Sequence, residues 1–123
     1  MVRVNSFRNF TLYQRSLDLT RVVYEVSHIY KESLSNGNIG LIRKYAGHIP
    51  NQIASALIQV NMNVRFRKLN EAVATLKKLR VLMNNLEMRK EIDYKSWCLF
   101  EQYRIEVIKL LNGYFGWLGS FVN

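Results

Sequence analysis

The chain has 123 residues, the length of one domain, and 49% of them are hydrophobic, which is ordinary for a globular protein. Eighteen Lys and Arg residues against nine Asp and Glu give a net charge of +9, which indicates anionic partners but says nothing about the fold. Cys98 is the single cysteine, so an intrachain disulfide is excluded, and its apolar neighbours predict a core position. One proline and six glycines predict a few long elements with short connections.

The first predicted helix covers about residues 7–34. Apolar side chains recur every seven positions from Leu12 to Val26, which is a helical spacing. The Ser-Asn-Gly-Asn run at 35–38 is the clearest turn in the sequence. Gly37 suits the left-handed residue that closes many helices, so we expect the first helix to end there.

The second predicted helix covers about residues 39–60 and contains Pro50. Proline removes one backbone donor and crowds the carbonyl of Ala46. The helix either kinks at this point, or it ends near Gly47 and restarts with Pro50 in its first turn. We favour one kinked helix, because the apolar pattern passes through the proline without a change of phase.

The third predicted helix, at about residues 64–89, has the most regular pattern in the chain. Its apolar positions are separated by alternating steps of three and four residues, as in a helix packed nearly parallel to its neighbours. Neither Gly nor Pro interrupts it. The predicted core positions are Leu69, Ala72, Leu76, Leu79, Met83 and Leu86.

The fourth predicted helix covers about residues 93–121, and Asp93 is a suitable N-cap. It carries two apolar stripes, although one apolar face is enough for a helix in a monomeric bundle. Such a helix is either central or exposes one stripe to a partner subunit. One stripe is Trp97, Phe100, Val107, Leu111, Tyr114, Leu118 and Phe121. The other, which we assign to an oligomer interface, is Leu99, Tyr103, Leu110 and Trp117.

Four amphipathic helices with short connections predict an all-α, antiparallel up-down four-helix bundle, with residues 1–123 forming a single domain. The most apolar stretch, 110–122, is too short to span a bilayer, so we expect no membrane partner. The first residues have no apolar signal core. The free cysteine and this N-terminus together predict a cytoplasmic protein.

The excess charge is concentrated in residues 38–80, which carry eight basic residues and one acidic residue, Glu71. Solvated helix faces normally mix both signs, so we favour a phosphate-binding surface for RNA or DNA. An acidic protein partner and a solvated face with no specific role are the alternatives. The candidate nucleic-acid-binding residues are Arg43, Lys44, Arg65, Arg67, Lys68, Lys77, Lys78 and Arg80.

Catalytic patterns are missing from the sequence. It contains no Gly-rich phosphate loop and no HExxH motif, and the two histidines, His28 and His48, have no carboxylate at ligand spacing. We therefore expect a protein that is not an enzyme and that has no metal or cofactor. An active site assembled between subunits is the remaining catalytic alternative.

Three segments of the chain resemble a known family. Residues 41–54, LIRKYAGHIPNQIA, resemble the IRRAAxSIPxNIAE stretch of the four-helix-bundle family first noted in 23S rRNA intervening sequences. Residues 66–79 and the opening FTLYQRSLDL at 10–19 resemble the family's neighbouring helices. The basic middle of the chain is most similar to the accessory variability determinant (Avd) branch of diversity-generating retroelements.

The resemblance implies a function and an assembly. Avd proteins are basic bundles that form pentameric rings and bind a reverse transcriptase and its template RNA, supporting mutagenic cDNA synthesis without catalysing it. We therefore expect a homo-oligomer, in this case a pentamer, that binds nucleic acid and a reverse transcriptase. The alternative is an oligomeric structural or partner-binding bundle of the intervening-sequence type, whose role is unknown.

Overall fold

The computed structural model describes the backbone of residues 3–119 and the side chains of residues 11–117. Regular structure in this range is entirely α-helical, with no strand. The same range contains four helices, as the sequence predicts. They are α1 (Arg3–Ile29), α2 (Asn36–Leu57), α3 (Met62–Met88) and α4 (Tyr94–Gly119).

The four helices surround one core. Hydrogen bonds from Thr20 to Ala46 and from Arg43 to Ser27 show that α2 runs antiparallel to α1. Each helix packs against the next along the chain, and α4 closes the bundle against α1. The core positions predicted on α3 are all buried: Leu69, Ala72, Leu76, Leu79, Met83 and Leu86.

Polar side chains define where three of the helices begin. Ser35, Asn61 and Asp93 each accept a backbone N–H from the first turn of the helix next along the chain, at 2.8–3.2 Å. These bonds satisfy donors that have no partner inside a helix. Hydrogen bonds from the side chain and backbone of Ser96 also hold the pKa of Asp93 below its ordinary value. The N-cap predicted at Asp93 is therefore confirmed.

The turn between α1 and α2 differs from the prediction. Helix α1 ends at Ile29 instead of near residue 34, and Gly37 lies inside the first turn of α2 because Ser35 is the N-cap. No described glycine has a positive φ. The prediction that Gly37 ends the first helix in a left-handed conformation was therefore wrong. The described non-glycine residue with a positive φ is Lys90 (φ 61°), immediately after the C-cap of α3.

Helix α2 continues through Pro50 from Asn36 to Leu57, so the alternative of a break and restart is wrong. Pro50 has no N–H to donate to the carbonyl of Ala46, four residues earlier. The hydroxyl of Thr20 on α1 donates to that carbonyl instead, at 2.7 Å. A neighbouring helix thus supplies the hydrogen bond that the proline removes.

One stripe of α4 lies in the core. Phe100, Val107, Leu111 and Tyr114 are buried, as predicted. Leu118 and Phe121, which the sequence places in the same stripe, lie outside the described side chains. Cys98 is exposed, so its predicted core position was wrong. It follows Trp97 and precedes Leu99, but its own position on the helix faces away from the core.

Candidate nucleic-acid interface

The eight predicted cations divide into two groups in the structure. Three arginines make specific contacts within the protein: Arg43, Arg65 and Arg80. The other five are Lys44, Arg67, Lys68, Lys77 and Lys78. We call these five residues the basic face.

Arg65 is buried, with only 6% of its surface exposed. Its guanidinium donates to the carbonyl oxygens of Leu57 and Gln59 at the end of α2, at 2.6–3.1 Å, and to the hydroxyl of Tyr114 on α4, at 2.8 Å. These carbonyls lie at the negative end of the α2 dipole and lack helical donors. The assignment of Arg65 to a nucleic-acid surface was therefore wrong, because its charge is used to join α2, α3 and α4.

Arg43 and Arg80 are also held by neighbours. The Nε of Arg43 donates to the hydroxyl of Ser27 at 2.7 Å, and its guanidinium carbon lies 5.2 Å from the ring centre of Tyr24. Arg80 forms an ion pair with Glu101 at 3.3 Å and lies over the ring of Trp97. Both side chains are partly accessible, but their contacts connect helices within the bundle. They are weaker candidates for phosphate contact than the basic face.

The basic face lies along α2 and α3. Lys44, Arg67, Lys77 and Lys78 are exposed, and Lys68 is half-buried. None of the five forms an ion pair with another residue between 11 and 117. Their positive charge is therefore available to an external anion, since paired cations contribute less field outside the protein.

Three acidic side chains on α1 and α4 form ion pairs with arginines. Glu106 on α4 forms an ion pair with Arg15 on α1 at 2.6 Å, and Arg15 also pairs with Asp18. Glu101 contacts both Arg80 and Arg104. Burial alone would raise the pKa of Glu101, but hydrogen bonds and charge from the two arginines outweigh burial and lower it. The potential around the bundle is uneven because residues 38–80 carry eight basic residues and one acidic residue.

Two clefts follow the groove between α2 and α3. The first, which we call the Tyr45 cleft, has a volume of about 370 Å³ and is lined by Tyr45, Lys77, Lys78, Val81 and Leu82. The second has a volume of about 280 Å³. Its lining residues are His48, Asn51, Gln52, Ser55, Lys68 and Glu71. Three cations of the basic face thus border concave surface instead of projecting from a smooth helix.

The second stripe of α4 is only partly accessible to solvent. Leu99 is 40% exposed and lines a cleft of about 420 Å³ with Cys98 and Gln102. Tyr103, Leu110 and Trp117 are half-buried and pack against the core of their own bundle. Among the four residues that the sequence assigns to an oligomer interface, Leu99 is therefore the one with a large accessible surface.

No cluster of three or more His, Cys, Asp or Glu residues suited to a metal ion occurs in the described part of the chain. Within the same range, none of the helices combines the length and hydropathy needed to cross a membrane. Comparisons with family models, with curated proteins and with solved structures found no match to this chain. A function for this protein therefore has to be inferred from its fold and its charge distribution.

Proposed function

We propose that this protein is a non-catalytic accessory protein that binds nucleic acid, RNA or DNA, through the basic face. The observation that carries the proposal is the segregation of charge. Five cations on α2 and α3 have no acidic partner among the described residues, whereas Asp18 on α1 and Glu101 and Glu106 on α4 pair with arginines elsewhere. Several unpaired cations on two adjacent helices match a phosphate backbone better than they match a point ligand.

Binding of this kind depends on charge and on salt. Each phosphate that a cation neutralises releases condensed counterions, which changes the log–log salt slope by about −0.9 on duplex and about −0.7 on single strands. The lysines and Arg67 would position the strand, since contacts to phosphate carry no sequence information themselves. The protein would therefore hold a nucleic acid and leave its chemistry to another protein.

That other protein, in our proposal, is a reverse transcriptase of a diversity-generating retroelement. Support for this part comes from the resemblance of residues 41–54 and 66–79 to the 23S rRNA intervening-sequence family, and from the basic middle of the chain, which is most similar to the Avd branch of that family. In the same proposal the bundles assemble into a ring-shaped homo-oligomer, a pentamer, through α4. Leu99 and Ile105, which are 40% and 42% exposed on α4, supply apolar surface for that contact.

The experiment that tests nucleic-acid binding is a titration of the protein against RNA and duplex DNA of equal length at several salt concentrations. We expect dissociation constants of about micromolar or tighter at low salt, rising steeply as salt is added. Absence of binding to either nucleic acid at low salt would refute the proposal. Genes for a reverse transcriptase and a template repeat beside this one would support the retroelement role, and their absence would contradict it.

The alternative function is an oligomeric structural or partner-binding bundle of the intervening-sequence type. The exposed side chains of Leu99 and Ile105 on α4 favour it, because apolar surface suits contact with protein more than with phosphate. This alternative predicts a stable oligomer with weak and salt-insensitive affinity for nucleic acid. Light scattering combined with the same titration distinguishes the two functions.

A further inference from the structure

The Tyr45 cleft combines features that phosphate binding alone does not require. Tyr45 on α2 is half-buried and packs against the core, so its ring is held in place. The opposite wall is apolar and consists of Val81 and Leu82 on α3. The side chains of Lys77 and Lys78, one turn before this wall, line the same cleft. A fixed aromatic ring, an apolar wall and two cations thus share one concave site.

These features match the parts of one nucleotide in a single strand. Every base has an aromatic face that can stack on a tyrosine ring, and the negative phosphates on either side of it attract ammonium groups. In a duplex the base faces are covered by neighbouring base pairs, so a duplex presents only its phosphates and groove edges to this surface. A strongly solvated anion such as a free carboxylate would gain nothing from the apolar wall.

We propose that the Tyr45 cleft binds an unpaired nucleobase, with Lys77 and Lys78 contacting the phosphates beside it. The inference rests on the proposed function, and it specifies the ligand as a single strand in preference to a duplex. Stacking would be tolerant of base identity, because no hydrogen bond to a base edge is required. The basic face would then supply general affinity, and the cleft would distinguish paired from unpaired nucleic acid.

The test compares three oligomers of equal length and charge per strand: a base-bearing single strand, a strand of abasic sites and a duplex. RNA and DNA versions of the base-bearing strand are both measured by fluorescence anisotropy. We expect the base-bearing strand to bind about tenfold more tightly than the abasic strand. Tyr45→Leu, which replaces the ring with an apolar side chain, should remove this difference, while Tyr45→Phe should retain it.

Binding of the abasic strand distinguishes failure of the base-binding proposal from failure of the proposed function. Equal affinity of the unmodified protein for base-bearing and abasic strands would overturn base binding and leave nucleic-acid binding through the basic face intact. Failure to bind either strand at low salt would overturn the proposed function itself. If Tyr45→Leu weakened binding of the base-bearing strand and of the abasic strand equally, the ring would have a structural role and would not stack on a base.

Discussion

The hydroxyl of Thr20 on α1 donates to the carbonyl oxygen of Ala46 on α2 at 2.7 Å, and this is the carbonyl that Pro50 leaves without a helical donor. The same hydroxyl lies 3.0 Å from the carbonyl of Ser16 in its own helix. A buried carbonyl without a donor costs about 1–3 kcal/mol, so this contact offsets part of the cost of a proline inside the helix. It also joins α2 to α1, as does the hydrogen bond from Arg43 to Ser27.

Substitution of Thr20 should be costly only when Pro50 is present. We expect Thr20→Val to lower the free energy of unfolding by about 1–3 kcal/mol, because valine has a similar shape and leaves the carbonyl of Ala46 unsatisfied. In a Pro50→Ala background the same substitution should cost clearly less, since residue 50 then donates its own N–H. Urea unfolding of the four proteins gives the coupling energy. Equal losses in both backgrounds would contradict this role of Thr20.

Arg65 should act on stability, and its exposed neighbour Arg67 on binding. Arg65→Met is expected to lower the free energy of unfolding by about 3 kcal/mol, because it removes charge-assisted bonds to the carbonyls of Leu57 and Gln59. Tyr114→Phe, which removes one of the bonds that Arg65 donates, should cost about 1 kcal/mol. Both values are measured by urea unfolding.

Arg67→Met is the matched control for Arg65. Its side chain is exposed, so the free energy of unfolding should change by less than about 0.5 kcal/mol. The affinity of the Arg67→Met variant for nucleic acid at low salt should fall, since the substitution removes one cation of the basic face. Similar stability losses in the Arg65 and Arg67 variants would contradict the structural assignment of Arg65.

Lys90 closes α3 in a conformation that glycine adopts more easily. Its φ is 61°, its N–H donates to the carbonyl of Glu87, and the N–H of Glu91 donates to that of Leu86. This is the Schellman pattern, in which the left-handed residue is usually glycine. Lys90→Gly should therefore raise the free energy of unfolding by about 1 kcal/mol. Lys90→Ala removes the same charge without relieving the strain and should give no increase in thermal or urea stability.

Glu101 should make stability depend on acid pH. Its pKa in the folded protein is lowered below the ordinary value of 4.5, because the hydrogen bonds and charge of Arg104 and Arg80 outweigh the effect of burial. Its stabilising contribution is therefore present above about pH 4.5 and is lost as the pH falls through the lowered folded-state value. Glu101→Gln should cost more stability at pH 7 than at pH 3. An equal cost at both pH values, measured by urea unfolding, would contradict this.

The helices and most of the core could be predicted from spacing alone. The alternating steps of three and four from Leu69 to Leu86 identify the buried side of α3 without knowledge of its neighbours. Asp93 could be predicted as an N-cap because its hydrogen bond to Ser96 is local in sequence. Features of this kind depend on residues within one or two turns, which the sequence places together.

The sequence could not predict which basic residues make contacts within the protein and which belong to the basic face. Arg65 and Arg67 are two positions apart and chemically identical, but one is buried against Tyr114 and the other is exposed. Which guanidinium meets a helix end depends on how α2, α3 and α4 pack, which spacing within α3 does not determine. The pairing of Arg80 with Glu101 is of the same kind, since the partners are on different helices.

The most direct test of binding through the basic face compares salt slopes for two variants of equal net charge. Arg67→Gln/Lys77→Gln/Lys78→Gln removes three unpaired cations of the basic face. Arg15→Gln/Arg21→Gln/Arg89→Gln removes three cations that pair with acids. On a single strand, the first variant should have a log–log slope shallower than that of the unmodified protein by about 2, and the second should keep the original slope. Equal changes in the two variants, or no salt dependence, would contradict binding through the basic face.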